Sequence, residues 1–121
     1  MSTYSFSKKT NQVTILSGAS VSNVIETMDS SLLGFIMPAA WTTAGLSLEV
    51  SMDGTTFAPT IYDETNQQTG YWSSIVAGAA YSASLTGMMA WRYIRFRSGT
   101  SASPVTQGAD RIITAIMRPL A

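Results

Sequence analysis

The stretch 45-GLSLEVSMDGTTF-57 decides the fold that this sequence predicts. From Gly45 to Met52, apolar and polar residues alternate with a period of two, as in a β-strand that buries one face. The apolar side chains point one way and the polar ones point the other: Leu46, Leu48, Val50 and Met52 against Ser47, Glu49 and Ser51. Asp53-Gly54 then favours a tight hairpin turn, and Phe57–Tyr62 is the expected partner strand.

Short segments of the same kind recur along the chain, separated by small polar residues and turn signals. The segments expected to form strands are Gln12–Leu16, Ser20–Met28, Leu32–Met37, Gly45–Met52, Phe57–Tyr62, Tyr71–Val76, Ala80–Leu85, Trp91–Arg97 and Arg111–Arg118. No window shows the 3.6-residue period of an amphipathic helix. This pattern indicates an all-β fold, an antiparallel β-sandwich. We predict one sandwich domain over residues 13–121, preceded by a flexible N-terminal arm over residues 1–12.

The charge content of the chain restricts its partners. Seven basic and seven acidic residues among 121 give a formal net charge of zero, and only 12% of residues are charged. That share is about half the usual one. Nucleic-acid binding normally requires a basic excess, so we expect no nucleic-acid partner. Uncharged polar groups cost less to desolvate than ions, and such a surface suits a protein that packs against other proteins.

No stretch of the sequence predicts secretion or membrane insertion. The N-terminus, MSTYSFSKKTNQ, has no apolar signal-peptide core. The longest apolar run, 32-LLGFIMPAAW-41, spans residues 32–41, whereas a membrane helix needs about 20 residues. We therefore expect a soluble protein, made in the cytoplasm, with no membrane partner.

Histidine and cysteine are both absent, which excludes most catalytic and metal sites. Neither a Ser-His-Asp nor a Cys-His arrangement can form, and no thiolate zinc site is available. There is no phosphate-binding glycine motif and no EF-hand spacing. Carboxylate catalysis stays open, but nothing singles out two of the acids Glu26, Asp29, Glu49, Asp53, Asp63 and Glu64. The cluster 63-DETN-66 could hold calcium, although a polar loop explains it better. We predict no enzymatic activity, no metal and no cofactor.

The stretch 91-WRYIRFRSG-99 concentrates arginine in an arginine-poor chain. The period of two places Ile94 and Phe96 on the core face. It places a row of aromatic and guanidinium groups on the opposite face: Trp91, Tyr93, Arg95 and Arg97. The row is either a solvated face whose arginines pair with acids such as Glu49 or Asp110, or a contact surface, where Tyr, Trp and Arg are enriched.

We favour the contact surface and include in it Tyr93, Arg95 and Arg97. The long loop Ser98–Asp110, with Pro104 and Gln107, is expected to supplement this interface. A separate pair, Tyr71 and Trp72, stands beside a polar loop and is the best candidate for contact with a carbohydrate.

Two blocks of the sequence carry a resemblance to known families. The turn 51-SMDGTTF-57 with the strand 92-RYIRFRSG-99 resembles galactose-binding-domain-like β-sandwiches. The fuller runs 35-FIMPAAWTTAGLSLEVSMDGTTF-57 and 92-RYIRFRSGTSASPVTQGADRIITAIMRP-119 resemble small virion proteins of tailed bacteriophages and related prophage modules. The resemblance implies a jelly-roll-like sandwich in a phage particle, such as a capsid decoration (cement) protein or a small tail or baseplate component. No sugar-binding residue of the family matches a position here.

The resemblance and the composition lead to a first hypothesis, a virion structural protein that binds and stabilises the assembled head. Its partners would be the major capsid protein or other virion proteins, and it would form a homo-oligomer, a dimer or a trimer, aided by the arm over residues 1–12. The alternative is a tail, baseplate or head-projection module that binds host surface glycans through Tyr71 and Trp72. A bacterial carbohydrate-binding domain outside any phage is a third hypothesis.

Overall fold

The computed structural model of the chain describes residues 9–27, 30–60, 71–83 and 91–119. Nine β-strands and no helix form among these residues, and each strand overlaps one of the segments that the sequence predicts. The strands are β1 (Lys9–Ile15), β2 (Ile25–Glu26), β3 (Ser30–Ile36), β4 (Leu46–Ser51), β5 (Ala58–Pro59), β6 (Tyr71–Trp72), β7 (Ala80–Ser82), β8 (Tyr93–Ser98) and β9 (Arg111–Pro119).

The strands pair into two sheets. Sheet A has the order β1-β9-β3-β7, and sheet B has the order β2-β8-β4-β5, with β6 also paired to β4. Every pairing in both sheets is antiparallel. The alternating strands of both sheets turn one face inward, where the apolar residues of the two layers meet. The predicted all-β, antiparallel β-sandwich is confirmed.

The core between the sheets is centred on Phe35 of β3. Its ring centroid lies 5.2 Å from that of Phe96 in sheet B, 4.8 Å from that of Trp72 and 5.4 Å from that of Tyr81. Aromatic pairs at such distances add about 0.5–1.5 kcal/mol beyond the burial of their surface. The buried apolar residues are Val13, Ile15, Ile25, Leu32, Phe35, Met37, Leu46, Leu48, Val50, Ile94, Phe96, Ile113, Ala115 and Met117.

The first strand begins earlier than the sequence pattern suggests. Residues Lys9 to Gln12 belong to β1 and pair with Met117 to Thr114 of β9. The predicted arm over residues 1–12 is therefore too long at its C-terminal end, and residues 1–8 of it lie outside the described residues. The polar sequence KTNQ gave no strand signal, but ladder hydrogen bonds join main-chain groups and do not require apolar side chains.

The turn after β4 is wider than the predicted tight hairpin turn. The last pair between β4 and β5 is Val50 with Ala58, and β4 ends at Ser51, so residues 52–57 form the connection. The carboxylate of Asp53 accepts the backbone N–H groups of Thr55 and Thr56, both at 2.9 Å. Gly54 follows with a φ of 80°, a conformation that glycine adopts without strain. Because β4 ends at Ser51, Met52 leaves the predicted inward set and is 60% exposed.

Some sequence predictions fall on residues outside the described ranges. These are Met28, residues 61–62 and residues 84–85 at the ends of predicted strands, and the acids Asp29, Asp63 and Glu64 with the 63-DETN-66 cluster.

The two isoleucines at the start of β9 test the assignment of the faces. Ile113 is fully buried and Ile112 is 48% exposed. We expect Ile113→Ala to lower the free energy of unfolding by about 2–5 kcal/mol, through lost burial and the cavity left behind. Ile112→Ala, the matched control, should cost less than about 1 kcal/mol. Urea unfolding of both variants measures this, and equal losses would contradict the orientation of β9.

Candidate contact surfaces

The arginines of β8 converge on one buried carboxylate. Glu49 of β4 stands opposite Arg95 in the strand register, and its side chain is only 2% exposed. The Arg95 Nη2 lies 2.7 Å from Glu49 Oε1, and the Arg97 Nε lies 2.5 Å from Glu49 Oε2. Both pairs form on the outer face of sheet B, because Glu49, Arg95 and Arg97 all point away from the core.

Neighbouring groups cover this cluster from several sides. The Ser101 hydroxyl, from the loop after β8, donates to Glu49 Oε2. The Arg97 Nη1 donates to Ser20 Oγ at 3.0 Å. The Arg95 guanidinium carbon lies 4.2 Å from the centroid of the Phe57 ring, a cation–π contact. The side chains of Arg95 and Arg97 are left only 23% and 17% exposed. Both guanidinium groups are therefore held by partners within the chain.

Burial and hydrogen bonding act on Glu49 in opposite directions. Burial by itself would raise the pKa of the carboxyl, because it disfavours the charged form. The hydrogen bonds from Arg97, Ser101 and Arg95 outweigh burial, so the pKa of Glu49 lies below its ordinary value of 4.5. Glu49 is therefore ionised at neutral pH and holds the loop after β8 against the outer face of sheet B.

The aromatic–arginine row is thus partly an internal ion-pair cluster. The structure brings Arg95 and Arg97 together on Glu49, as the first of the two sequence interpretations allows, whereas the carboxylate of Asp110 accepts the Ser17 backbone N–H at 2.8 Å. Tyr93 is half-buried, and its hydroxyl donates to Glu26 at 3.3 Å. Trp91 precedes the strand and packs against the core, so it does not belong to the outward row.

Gln107 lies inside the molecule and not at its surface. Its side chain is 1% exposed; its amide nitrogen donates to Ser98 Oγ at 2.8 Å, and its oxygen accepts the Thr42 backbone N–H at 2.9 Å. The prediction of Gln107 as an interface residue is therefore wrong. A buried amide must satisfy its hydrogen bonds within the protein, and here it holds the loop of residues 98–110 in place. Pro104, in the same loop, is exposed, and its role in an interface stays a prediction.

The predicted carbohydrate pair is divided between two environments. Tyr71 is 38% exposed and borders a cavity of about 250 Å³ on the outer side of sheet B. Its ring packs on Gly45, where a Cβ atom would come within 2.5 Å of the Tyr71 hydroxyl. Trp72 points the other way, into the aromatic cluster around Phe35, and so is unsuited to stack on a sugar. The other cavity walls are formed by Ser47, Leu48, Pro59, Thr60, Thr100, Ser101 and Ala102.

The outer face of sheet A is a second surface, which the sequence interpretation did not single out. The registers place across it, row by row, Thr10, Ile116, Gly34 and Ser82, then Gln12, Thr114, Ile36 and Ala80, then Thr14 and Ile112. None of these residues is charged, and Ile36 and Ile112 are 42% and 48% exposed. The next residue of β9 on the same side, Arg118 opposite Ser31, is charged and marks the end of this set. We call this surface the uncharged face.

A sequence signal for the uncharged face was present in 111-RIITAIMR-118. Ile112 and Ile116 alternate with Ile113, Ala115 and Met117, so β9 is apolar on both sides. Strands of that kind are typical of sheets covered on both faces. In the described structure only one side of β9 faces the core.

Metal and membrane sites were also sought in the described residues. No group of three or more acidic, histidine or cysteine side chains there could hold a metal ion. No helix in the same ranges is long and apolar enough to cross a bilayer.

The fold resembles that of a solved protein. The crystal structure of the SPBc2 prophage-derived protein YomS superposes with a TM-score of 0.54 and 12% sequence identity, over 91% of this chain and 93% of that one. At this identity the likeness shows the fold alone. No protein-family model matches the sequence, and no curated protein matches it.

The Glu49 cluster predicts a measurable difference between two glutamates that pair with arginine. Glu49→Gln should lower the free energy of unfolding by about 2 kcal/mol at neutral pH, because two guanidinium groups lose a buried charged partner. Glu26→Gln is the matched control. The Glu26 side chain is 45% exposed and lies 3.4 Å from Arg92, so its loss should cost less than about 1 kcal/mol.

The same pair of proteins also gives a pH dependence. A carboxyl whose pKa is lowered by folding adds stability above its unfolded pKa and loses it as the pH falls through its folded pKa. The stability difference between the unmodified chain and Glu49→Gln should therefore shrink below about pH 4.5. Hydrogen bonds from Thr56, Thr55 and Ser51 lower the pKa of Asp53 to about 2. Asp53 titrates in both proteins, so its contribution cancels in the stability difference. A difference that stays constant in acid would contradict the role of Glu49.

Proposed function

We propose that this chain is a structural protein of a bacteriophage particle, specifically a capsid decoration (cement) protein that binds the assembled head and stabilises it. The observation that carries the proposal is the likeness of its fold, over nearly the full length of both chains, to the SPBc2 prophage-derived protein YomS. The resemblance of residues 35–57 and 92–119 to small virion proteins of tailed phages supports it independently. The proposed location is the virion, after synthesis in the host bacterial cytoplasm.

The winding of the chain supports a jelly-roll-like, galactose-binding-domain-like sandwich. The early strands alternate between the layers: β1 and β3 lie in sheet A, and β2 and β4 lie in sheet B. The last strands return to pair with the first ones, since β9 lies between β1 and β3, and β8 lies between β2 and β4. A jelly roll is a double sheet built from two Greek keys, and such interleaving of early and late strands is what they produce.

The uncharged face is the surface that we assign to contact with the major capsid protein or other virion proteins. Contact through its three rows of threonine, isoleucine, glutamine and small residues removes no ion from water. The outer face of sheet B is less suited to supply the main contact, because its arginines are already paired with Glu49. Tyr93, Arg95, Arg97 and Pro104 remain predicted contacts of that second surface.

Stabilisation of the head would follow from binding alone. A protein that binds the assembled shell and not its free subunits shifts the equilibrium toward the shell. Many copies on one lattice multiply the effect, and a symmetric dimer or trimer would match a symmetric binding position. The proposal includes no chemical step, metal, cofactor or nucleic acid.

The decisive measurement is the heat and pressure resistance of phage heads assembled without this protein. Heads that lack it should assemble, but should release DNA at a lower temperature than complete heads. Adding back the purified protein should restore the original temperature. Heads with unchanged resistance would remove the decoration hypothesis.

A pair of threonine variants then tests the surface. Thr114→Glu places a charge in the centre of the uncharged face, between Gln12 and Ile36. Its binding to heads should fall by about 100-fold, because burial of an unpaired charge costs several kcal/mol. Thr55→Glu, in the exposed turn after β4, is the control and should bind normally. Normal binding by a folded Thr114→Glu variant would rule out the uncharged face.

The alternative function, recognition of host surface glycans from a tail, baseplate or head projection, is favoured by one observation, the cavity beside Tyr71. The exposed tyrosine beside this recess of about 250 Å³ offers an aromatic ring for stacking on a sugar. The same observation serves the third hypothesis, a bacterial carbohydrate-binding domain.

A glycan array tests this alternative. Binding that is abolished by Tyr71→Ala and retained by Tyr93→Ala would support it. Tyr71 is the residue to change, since Trp72→Ala would also disturb the aromatic core. An array without binding would count against both carbohydrate hypotheses.

A further inference from the structure

Part of one edge of sheet A is open in the described part of the chain. Strand β1 stands at the end of the sheet order and pairs with β9 along its whole length. On the side away from β9, Ile15 forms a bridge with Ser22, so the open part of the edge runs over residues 9–13. The Thr14 backbone N–H points away from β9, because it donates to Oδ1 of Asn23 at 2.8 Å. Main-chain groups alternate in direction along a strand, so the N–H and C=O groups of Thr10 and Gln12 face the same open edge.

This edge lacks the features that usually prevent another strand from adding to it. Exposed edges are commonly protected by prolines, bulges or several charges. The pairing of β1 with β9 contains no bulge, and β1 contains no proline and one charged residue, Lys9. Among the described residues, no hydrogen bond reaches the backbone of Thr10 or Gln12 from the open side. The edge is therefore a template for an incoming strand.

A groove runs beside the open edge. It has a volume of about 220 Å³ and separates β1 from the segment that contains the short strand β2 of sheet B. Its walls are mainly polar, and they are formed by Asn11, Gln12, Val13, Asn23, Val24, Ile25 and Glu26. Such a groove accepts an extended main chain that carries small polar side chains. The Asn23 side chain closes it at the Thr14 end.

The chain itself contains a segment that matches this edge. Residues 1–8, MSTYSFSK, precede β1, and Tyr4 and Phe6 alternate with serine or threonine at the period of a strand. The segment has no glycine, proline, asparagine or aspartate, the residues on which a tight turn back onto β1 of the same copy would depend. In extended form it spans about 27 Å, enough to cover the open edge of one β1.

We propose that residues 1–8 of one copy of this chain add as an antiparallel strand to the open β1 edge of a second copy. A two-fold axis makes the exchange reciprocal, so each copy both donates and receives a segment. Main-chain hydrogen bonds from Thr10 and Gln12 hold the incoming strand. This inference rests on the proposed function, in which a symmetric oligomer matches a symmetric binding position, and it names the partner of β1 as a second copy of the decoration protein.

Proline variants of the full chain test the exchange. Gln12→Pro removes an N–H that points to the open edge and leaves the hydrogen bonds to β9 in place. Gln12→Ala keeps that N–H and is the matched control. Ser5→Pro/Phe6→Pro removes one N–H from each side of the donated segment, and Ser5→Ala/Phe6→Leu is its control. Sedimentation equilibrium gives the mass, and thermal unfolding shows whether each variant is folded.

The unmodified chain and both controls should sediment at twice the 12.9 kDa mass of one copy, and both proline variants at the mass of one copy. A mixture of the two proline variants should associate again, more weakly than the unmodified chain, because one variant still donates a segment to the open edge of the other and only one of the two exchanges can form. A merely structural defect would not be complemented in this way.

Three results would overturn the proposal: an unmodified chain that is monomeric, proline variants that remain dimeric, or a mixture that does not associate. If Gln12→Pro does not fold, the variants in residues 5 and 6 decide alone. The measurements use purified protein without phage heads, so their outcome is independent of the head-stability experiment.

Discussion

The contact between the inner faces of the two sheets is the interaction on which the rest of this molecule depends. The sequence has no cysteine, so no disulfide can join the layers. Phe35 touches Phe96 across the sandwich and Trp72 and Tyr81 beside it, and burial of each large apolar side chain contributes about 1.5–3 kcal/mol. The outer faces are thereby fixed in position, and they are free to differ from one another.

They do differ, in charge above all. The outer face of sheet B carries Glu49 paired with Arg95 and Arg97. The Glu49 carboxylate also accepts a hydrogen bond from Ser101, which holds the loop after β8 against the sheet. Apart from Arg118 near the end of β9, the described outer face of sheet A carries threonine, isoleucine, glutamine and small residues. The Glu49 cluster thus stabilises the fold itself, and the surface that costs least to desolvate is left outside. That division suits a protein that functions by binding to neighbours.

The sequence predicted the positions of the strands well, and the contacts and burial of individual side chains less well. Period two in residues 45–52 and 91–98 identifies β4 and β8 because one face of each lies against the core, and the Asp53-Gly54 turn was placed correctly although its width was not. The position of Gln107 could not be predicted, since its burial depends on Thr42 and Ser98, which are distant along the chain. The ion pairs of Arg95 and Arg97 with Glu49 were one of two alternatives that the sequence left open. The alternation of apolar and polar residues predicts the side of the sheet on which a side chain lies, but not the groups that it contacts there. The predicted start of β1, at Gln12, is three residues later than the observed start at Lys9. Main-chain hydrogen bonds to β9 hold the first residues of the strand, and such bonds do not produce a pattern in the side chains.

The pairing of the first strand with the last has a practical consequence. Lys9 stands directly opposite Met117, and residues paired in this way have Cα atoms about 5 Å apart. The first and last described strands therefore lie side by side in sheet A. Removal of residues 111–119 would take away the β9 partner of both β1 and β3, together with the centre of the uncharged face.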